Sequence, residues 1–412
     1  MTRTRLNRFR AVAKQRIAPI SYLRLLTGGC EEDEARFRAA MRARFGADTH
    51  IVPFGRARSG IYLLVKFAVW GGRRKVLLSP YTIPDVVTMV LLAGGEPVFF
   101  DFEPASTACD IAGLERLIDG DTACVMVTHH HVNEPRLTDI QDLCRARGVY
   151  LFDDCAIAFG GSIGGHPLGT LTDASVFSMS SFKTLNFFWG GMVATRNEAV
   201  AQFLQREMAP WPRLAIADYW KPAKACLQYD LASSPPLFDR VVFPLLARRA
   251  QKSGFAQSLE NTRLETERLT PTLTSRPALA AFAEWNGKLA KVDKWLAHRR
   301  AIARVYARTL GEHMVGPRPD EAAFAGACFV NFPLNVTEQR RDVLCRDLML
   351  AGLDVGKSLY PNVHRHPKFD RLPGHSANVD RLAKSTIYLP THFGVSEAYA
   401  TELALTVGAH MT

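Results

Sequence analysis

The sequence has no Cys-x-x-Cys pair among its eight cysteines, no apolar run near the roughly 20 residues that a membrane-spanning helix requires, and no internal repeat or low-complexity stretch. Without the pair, a thiol-based zinc or redox motif has no footing. Cys30, Cys109, Cys124, Cys144, Cys155, Cys226, Cys328 and Cys345 are scattered, several inside apolar runs, as reduced buried thiols are. That predicts a reducing, cytoplasmic setting. Apolar stretches such as Val86–Ala93 are too short to span a bilayer, and the N-terminus is charged from its third residue, without the apolar centre of a secretory leader. Acid is absent at the start: Arg3, Arg5, Arg8, Arg10, Lys14, Arg16 and Arg24 all precede Glu31, the first carboxylate, which predicts a solvated basic arm over 1–28.

What is present is the composition of a packed globular chain, 412 residues with 47% hydrophobic, 10% aromatic and 22% charged. That length exceeds what one core usually serves, so a second domain is expected. Lys and Arg number 51 against 40 acids, a net +11 that favours anionic partners without choosing among them.

From about residue 56 helical and strand periods alternate. Ile61, Leu64, Val65 and Ala68 mark a helix, Lys75–Leu78 a strand, Ile83–Ala93 a helix, and Glu96–Phe102 a strand. Cys124–Thr128, Val149–Asp154, Ala174–Ser178 and Gly191–Thr195 read as further strands, with a helix over Leu137–Arg147. Strands this apolar are covered on both faces, which predicts an α/β fold with a mostly parallel sheet. Gln202–Ser275, broken by Pro212, Pro222, Pro235, Pro236 and Pro244, reads as an insertion or lid over about 202–275. A long amphipathic helix from Pro277 to about Leu310 leads to a second, α+β domain, with a strand at Cys328–Phe332 and a helix over Gln339–Leu350. The expected organisation is an arm at 1–28, a large domain at 29–295 and a small C-terminal domain at 296–412.

The densest constellation lies between Leu151 and Val193. An acidic pair at a strand end, Asp153-Asp154, is followed by glycines and then by Phe177-Ser178-Met179-Ser180-Ser181-Phe182-Lys183. Ligands of a parallel sheet bind at the carboxyl ends of its strands. A carboxylate there needs a cationic partner, and a lysine flanked by Phe182, Phe187, Phe188 and Trp189 has a lowered pKa that suits attack on a carbonyl. A plain Asp–Lys salt bridge is the alternative reading.

This stretch resembles the DegT/StrS-type sugar aminotransferases, fold-type I enzymes that depend on pyridoxal 5'-phosphate. Their acidic pair and small residues resemble Asp153 to Gly160, and their Phe-Ser-x-x-x-x-Lys with a downstream Gly-Gly resembles Phe177, Ser178, Lys183, Gly190 and Gly191. Arg58 to Leu63 resembles the family's phosphate-binding turn and helix start. Tyr81-Thr82, Asp101, Val127–Pro135, Tyr360-Pro361 and Leu389-Pro390 fit as well, over roughly residues 50–200 and 277–410.

The resemblance implies a seven-stranded-type sheet and catalytic roles for Lys183, which would form the Schiff base and shuttle the proton, and for Asp154, which would pair with the pyridinium nitrogen. Ser59, Gly60, Ile61 and Ser178 would hold the phosphate, with an N-cap as the plain reading of Ser59, and Tyr81 and Ile157 would border the ring. Ile61 stands where the family usually has Thr, Ile157 where it has Gln or His, and Ile83 where an aromatic often stacks. The family's Gly-Tyr-Asn segment, donated by the neighbouring subunit of a homodimer with shared active sites, has no clear equivalent; Asn261 and Ser275 are its nearest counterparts. His130, Tyr360 and His364 are implied substrate neighbours. No metal is expected, since members of the His129–His131 triplet cannot all face one point on a strand and His364 and His366 lack acidic or thiol partners at metal spacing. Gly160–Gly165, followed by Pro167, reads as a hairpin and not a dinucleotide fingerprint.

The implied reaction moves an amino group from an amino acid, by family habit L-glutamate, to a keto-sugar, usually nucleotide-linked. Sugar dehydratases among the relatives carry His in place of the lysine, so Lys183 argues against that chemistry. A basic binding protein that keeps the fold without catalysis conflicts with intact Asp154 and Lys183, and no nucleic-acid partner is expected. One further reading concerns Trp211, Trp220, Tyr229, Leu237, Phe238, Val241, Val242, Phe243, Leu245 and Leu246 with Arg248, Arg249 and Lys252. This aromatic, apolar and basic mixture suits an anionic membrane or a lipid-linked sugar, and equally a lid or dimer contact.

Overall fold

Short β-branched and aromatic runs punctuated by glycine turns become strands β1 (His50–Phe54), β2 (Lys75–Leu78), β3 (Glu96–Phe99), β4 (Thr122–Thr128), β5 (Tyr150–Asp154), β6 (Ser162–Ile163), β7 (His166–Pro167), β8 (Ala174–Ser178) and β9 (Gly191–Thr195). They are seen in a computed structural model that describes residues 19–234, 237–245, 248, 266–316, 319–351, 353, 355–357 and 360–411. Seven of them form one sheet in the order β1-β9-β8-β5-β4-β2-β3. Pairing is parallel throughout except at β9, which runs antiparallel to both neighbours. The mostly parallel sheet is as expected. β1 falls before the region where the alternation was legible: Pro53 interrupts its β pattern, and as an edge strand it tolerates the missing donor. β6 and β7 form the expected hairpin.

Alternation along the strands divides the core into two faces. Cys124, Met126, Phe152 and Val176 join helices Ala57–Val69, Pro84–Leu92 and Glu198–Met208 on one side. On the other, Val125, Val127 and Leu151 meet Leu137–Arg147, while Phe177, Met192 and Ala194 meet Glu31–Phe45 and the start of Leu279–Leu310. The latter helix runs 32 residues without a break. Leu296 still belongs to the large core, whereas Ile302, Tyr306 and Leu310 belong to the core of the small domain. There β10 (Asn331–Asn335), β11 (Gly356–Lys357) and β12 (Thr386–Pro390) form an antiparallel sheet in the order β10-β12-β11. The strand expected at Cys328–Phe332 thus starts three residues later, after Phe329 adopts a left-handed φ of 41°.

Two expectations change. The arm is shorter than 1–28, because Pro19–Thr27 is a helix with Leu25 buried in the large core; residues 1–18 lie outside the described residues. The insertion is less irregular than its prolines suggest. Trp220–Ala232 is a helix with Pro222 in its first turn, where a missing N–H costs nothing, and a helical stretch follows around Phe238–Val242. Asn261, Leu246, Arg249 and Lys252 lie outside the described residues. Of the eight cysteines none is bridged, and all but Cys30 are buried. No helix among the described residues is long and apolar enough to cross a membrane.

Candidate active site

Three neighbouring strand ends build the site. In the parallel register Thr128 of β4 pairs with Asp154 of β5, and Asp154 with Val176 of β8. His129–His131, the acidic pair and the Ser178–Lys183 turn therefore leave the sheet at one end. Asp154 is buried and accepts the Ala156 N–H at 2.9 Å. Burial raises its carboxyl above the usual range, against the attraction of Lys183. Burial likewise lowers the Lys183 amine, with Asp154 opposing and the Arg58 cation adding to the fall. Each group holds its charge at a cost, and a lysine with an enlarged neutral fraction is a better nucleophile and base.

The turn that carries Lys183 is braced from below. Asn186 Nδ2 donates to the Ser181 carbonyl at 2.8 Å, and Lys288 Nζ donates to Asn186 O and Oδ1 at 2.8 and 2.7 Å. Lys288 is in turn paired with Glu284 at 2.9 Å, one helical turn away. The glycine pair after the turn answers to packing: a Cβ on Gly190 would meet the Trp285 ring at 2.3 Å, and one on Gly191 the Ala57 Cα at 2.5 Å. With no side chain there, the helix that starts at Ala57 can sit directly against β9.

Above the strand ends lies a buried aromatic cluster. The His130 ring is 5.1 Å from both Tyr81 and Tyr360, and Tyr81 Oη meets Tyr388 Oη at 2.6 Å. The Asp154 charge adds to the burial that raises the Tyr360 hydroxyl. His131 Nδ1 accepts the Asn331 N–H at 3.2 Å, so in the neutral ring the proton sits on Nε2, which is buried without a hydrogen-bond partner. Burial above all lowers His130 and His131 from 6.5 to about 3, with His129 adding to the fall of the first and His130, Lys183 and Arg299 to that of the second, so both are neutral at physiological pH. Tyr81, Thr107, His130, His131 and Tyr388 line a small cavity here, while a larger one of about 670 Å³ opens between Glu103–Ser106 and the small domain, away from Lys183.

Not every expected residue joins this cluster. Asp154, Lys183, Tyr81, His130 and Tyr360 do, while Ser178 meets the Ser180 hydroxyl at 3.2 Å at the start of the Lys183 turn. The helix begins at Ala57, so Ser59, Gly60 and Ile61 stand inside its first two turns. Ser59 N–H donates to the Arg56 carbonyl at 3.1 Å, and Gly60 and Ile61 lie deeper in the helix ladder. Ser59 Oγ gives its proton to the Leu273 carbonyl at 2.6 Å. Ile61 is packed in the core, and Ile157 is buried just past Asp154. His364 stands apart: Nε2 donates to the Leu372 carbonyl at 2.9 Å, Nδ1 meets the Ser376 hydroxyl at 3.0 Å, and the ring packs on Phe99.

Two residues enter that sequence reasoning missed. Tyr388 comes from β12, far along the chain. Arg299 projects from the long helix to Thr184, beside Lys183, with Nη1 donating to Oγ1 at 2.7 Å. Its guanidinium pairs with no carboxylate among the described residues, and burial lowers its pKa. The run His298-Arg299-Arg300, interrupting the apolar stripe between Trp295 and Ile302, was the available signal. Among the described residues one group of metal-capable side chains gathers, His129, Asp153 and Cys155, with ligand atoms within 4.8 Å of one another. His129 Nδ1 accepts the Glu134 N–H at 3.1 Å, and its Nε2 lies 3.5 Å from Asp153 Oδ2 without hydrogen bonding to it.

The chain matches the DegT/DnrJ/EryC1/StrS aminotransferase family over residues 25–207 and 280–407. It is 31% identical to a GDP-perosamine synthase of Vibrio cholerae over 126 residues, 31% of this chain and 34% of that one, so that likeness spans only about a third of the relative. It is 22% identical to a dTDP-4-dehydro-2,3,6-trideoxy-D-glucose 4-aminotransferase of Saccharopolyspora spinosa over 89% of this chain and 86% of the other. Among solved structures, an aminotransferase TlmJ from Streptoalloteichus hindustanus superposes with a TM-score of 0.74 at 19% identity, covering 98% of each chain.

Proposed function

We propose, from the premise that this chain belongs to the DegT/DnrJ/EryC1/StrS aminotransferase family, that it is a pyridoxal-phosphate-dependent enzyme moving an amino group from an amino acid, L-glutamate first among them, to a keto-sugar borne on a nucleotide. The observation that carries this reading is the couple of half-buried Lys183 and buried Asp154 at neighbouring strand ends, each with its charged form disfavoured by lost hydration. The residues present fit the cofactor: a carboxylate for a ring nitrogen, an amine for an aldehyde, and the helix start at Ala57 with the Ser178 and Ser180 hydroxyls for a phosphate. When bound, the cofactor supplies an aldehyde carbon for amine exchange and a ring that takes up electrons.

The chain's own residues do the rest. Lys183 Nζ, neutral in greater part than an exposed lysine, takes the proton from the donor carbon and returns it to the acceptor. Asp154 holds positive charge at the ring nitrogen. Arg299 positions the donor by its carboxylate through charge-assisted hydrogen bonds, which is the use that fits a cation with only a threonine hydroxyl beside it. His130 and His131, kept neutral, do not repel that cation or Lys183. A dehydratase reading lacks its histidine at position 183.

The test is the visible spectrum of the protein with added cofactor, before and after L-glutamate. A yellow band that bleaches in the parent, and at least about a thousandfold more slowly in Lys183→Ala, is expected. Arg299→Met raises the L-glutamate concentration needed by roughly 10- to 100-fold. No band in the parent overturns the reading.

A further inference from the structure

We propose that Glu284 and Lys288 are positioning residues for catalysis, which fix the Lys183 turn through Asn186 and are themselves held by Ser21 and Arg24 of the Pro19–Thr27 helix. The inference rests on Lys183 being the reacting amine. Lys288 is buried, and an ammonium has three hydrogens to place. All three have acceptors: Glu284 Oε1 at 2.9 Å, the Asn186 carbonyl at 2.8 Å and Asn186 Oδ1 at 2.7 Å. Because an ammonium can only donate, the buried Asn186 amide must turn its oxygen to Lys288. Its Nδ2 is thereby aimed at the Ser181 carbonyl, 2.8 Å away and two residues before Lys183. The turn closes through a backbone bond from Lys183 N–H to the Ser180 carbonyl at 3.0 Å, and the Asn186 amide stops the intervening Ser181 peptide from rotating.

Glu284 is gripped from its other side. It is buried on the long helix, where a carboxylate needs partners for both oxygens. Ser21 Oγ donates to its Oε1 at 2.5 Å, and Arg24 Nε lies 3.3 Å from Oε2. Tyr22, between them, packs on Phe188 at 5.2 Å, and the Phe188 carbonyl accepts the Ser181 hydroxyl at 3.3 Å. An ionic and an aromatic route therefore both run from the Pro19–Thr27 helix to Ser181. Ser21 and Arg24 precede residue 25, where the match to the family begins, so their hold on Glu284 comes from outside the matched stretches. The charges that act on Lys183 are those of Asp154 and Arg58, on other elements, and this network works on the amine by position. Displacing a reacting group by even an ångström is costly in rate, which makes a distant helix matter to the chemistry.

Full-length protein with added pyridoxal phosphate is mixed with L-glutamate, and bleaching of the yellow band is followed in the parent and in variants whose circular dichroism matches it. Asn186→Asp keeps an acceptor for Lys288 and loses the donor to Ser181, while Glu284→Gln with Lys288→Met removes both charges so that neither is stranded. Each should bleach roughly 10- to 100-fold more slowly, with the L-glutamate concentration for half the maximal rate within about threefold of the parent. Ser21→Ala with Arg24→Gln should slow bleaching by roughly three- to tenfold. Added to Glu284→Gln with Lys288→Met, the same two changes should slow it by less than about twofold, because the helix acts through that pair. Cofactor-free protein gives a second readout: the rate of reductive methylation of Lys183 by formaldehyde and cyanoborohydride, followed against pH by mass spectrometry. Its midpoint should rise by at least about half a pH unit in Glu284→Gln with Lys288→Met, since a loosened turn rehydrates the amine. Folded variants that bleach and methylate like the parent overturn the proposal, and so do effects of the two pairs that simply multiply. A parent that forms no band overturns the catalytic reading itself, and the proposal with it.

Discussion

Around Lys183 the chain buries polar groups, and along Trp220–Leu245 it exposes apolar ones. Both regions invert the ordinary partition of a globular protein, in opposite directions. In the first, Asp154, His130, His131 and Arg299 give up hydration for partners that satisfy them only in part. In the second, leucines one helical turn apart stay in water. The two are joined through Phe182 and Tyr229, yet they draw on different terms of the stability balance. Buried charge is expensive and is kept for chemistry, whereas exposed leucine costs the monomer little.

The comparison is broken most severely at Asp154. Asp154→Asn removes a charge that burial disfavours, so thermal stability should hold or rise while the bleaching rate with L-glutamate falls by roughly a hundredfold or more. A variant that loses both would show the carboxylate to be structural. His130→Phe tests the same region through pH. The folded pKa of His130 is depressed from 6.5 to about 3, so the unfolded chain binds the proton first, and stability is lost as pH falls through that window. Between pH 7 and pH 5 the parent should lose about 2 kcal/mol that the variant does not, measured by denaturant unfolding at each pH. Glu134, raised by burial to about 7, works in the opposite sense and cancels when variant and parent are compared. The smallest effect belongs to the other region: Leu231→Ser should change the unfolding free energy by no more than about 0.5 kcal/mol.

Much of the site was legible because its chemistry is local in sequence. Asp154 and Lys183 stand within one strand-turn-strand stretch, and the β5 and β8 ends announce themselves by apolar runs stopping at polar residues. The glycine pair was legible as a motif, though its reason, room for Trp285 and Ala57, was not. Helix starts were read less well. An apolar period marks the middle of a helix, so the start at Ala57 was hidden behind polar residues. His364 looked like a companion of Tyr360, four residues before it, but its ring turns to Phe99 and Ser376. Arg299 and Tyr388 were beyond reach, because nothing local distinguishes them from surface or core residues.

The sequence by itself determined the α/β class, the mostly parallel sheet, the family resemblance, and the Asp154 and Lys183 pair, since these follow from periodicity and from residues adjacent in the chain. Only the tertiary structure decided which neighbours close over that pair. Contacts between Thr184 and Arg299, between His131 and Asn331, and between Tyr81 and Tyr388 join residues more than a hundred positions apart. They exist because the long helix and β12 bring the small domain back over the strand ends, and burial, which moves the pKa values, is a property of that packing and of no single segment.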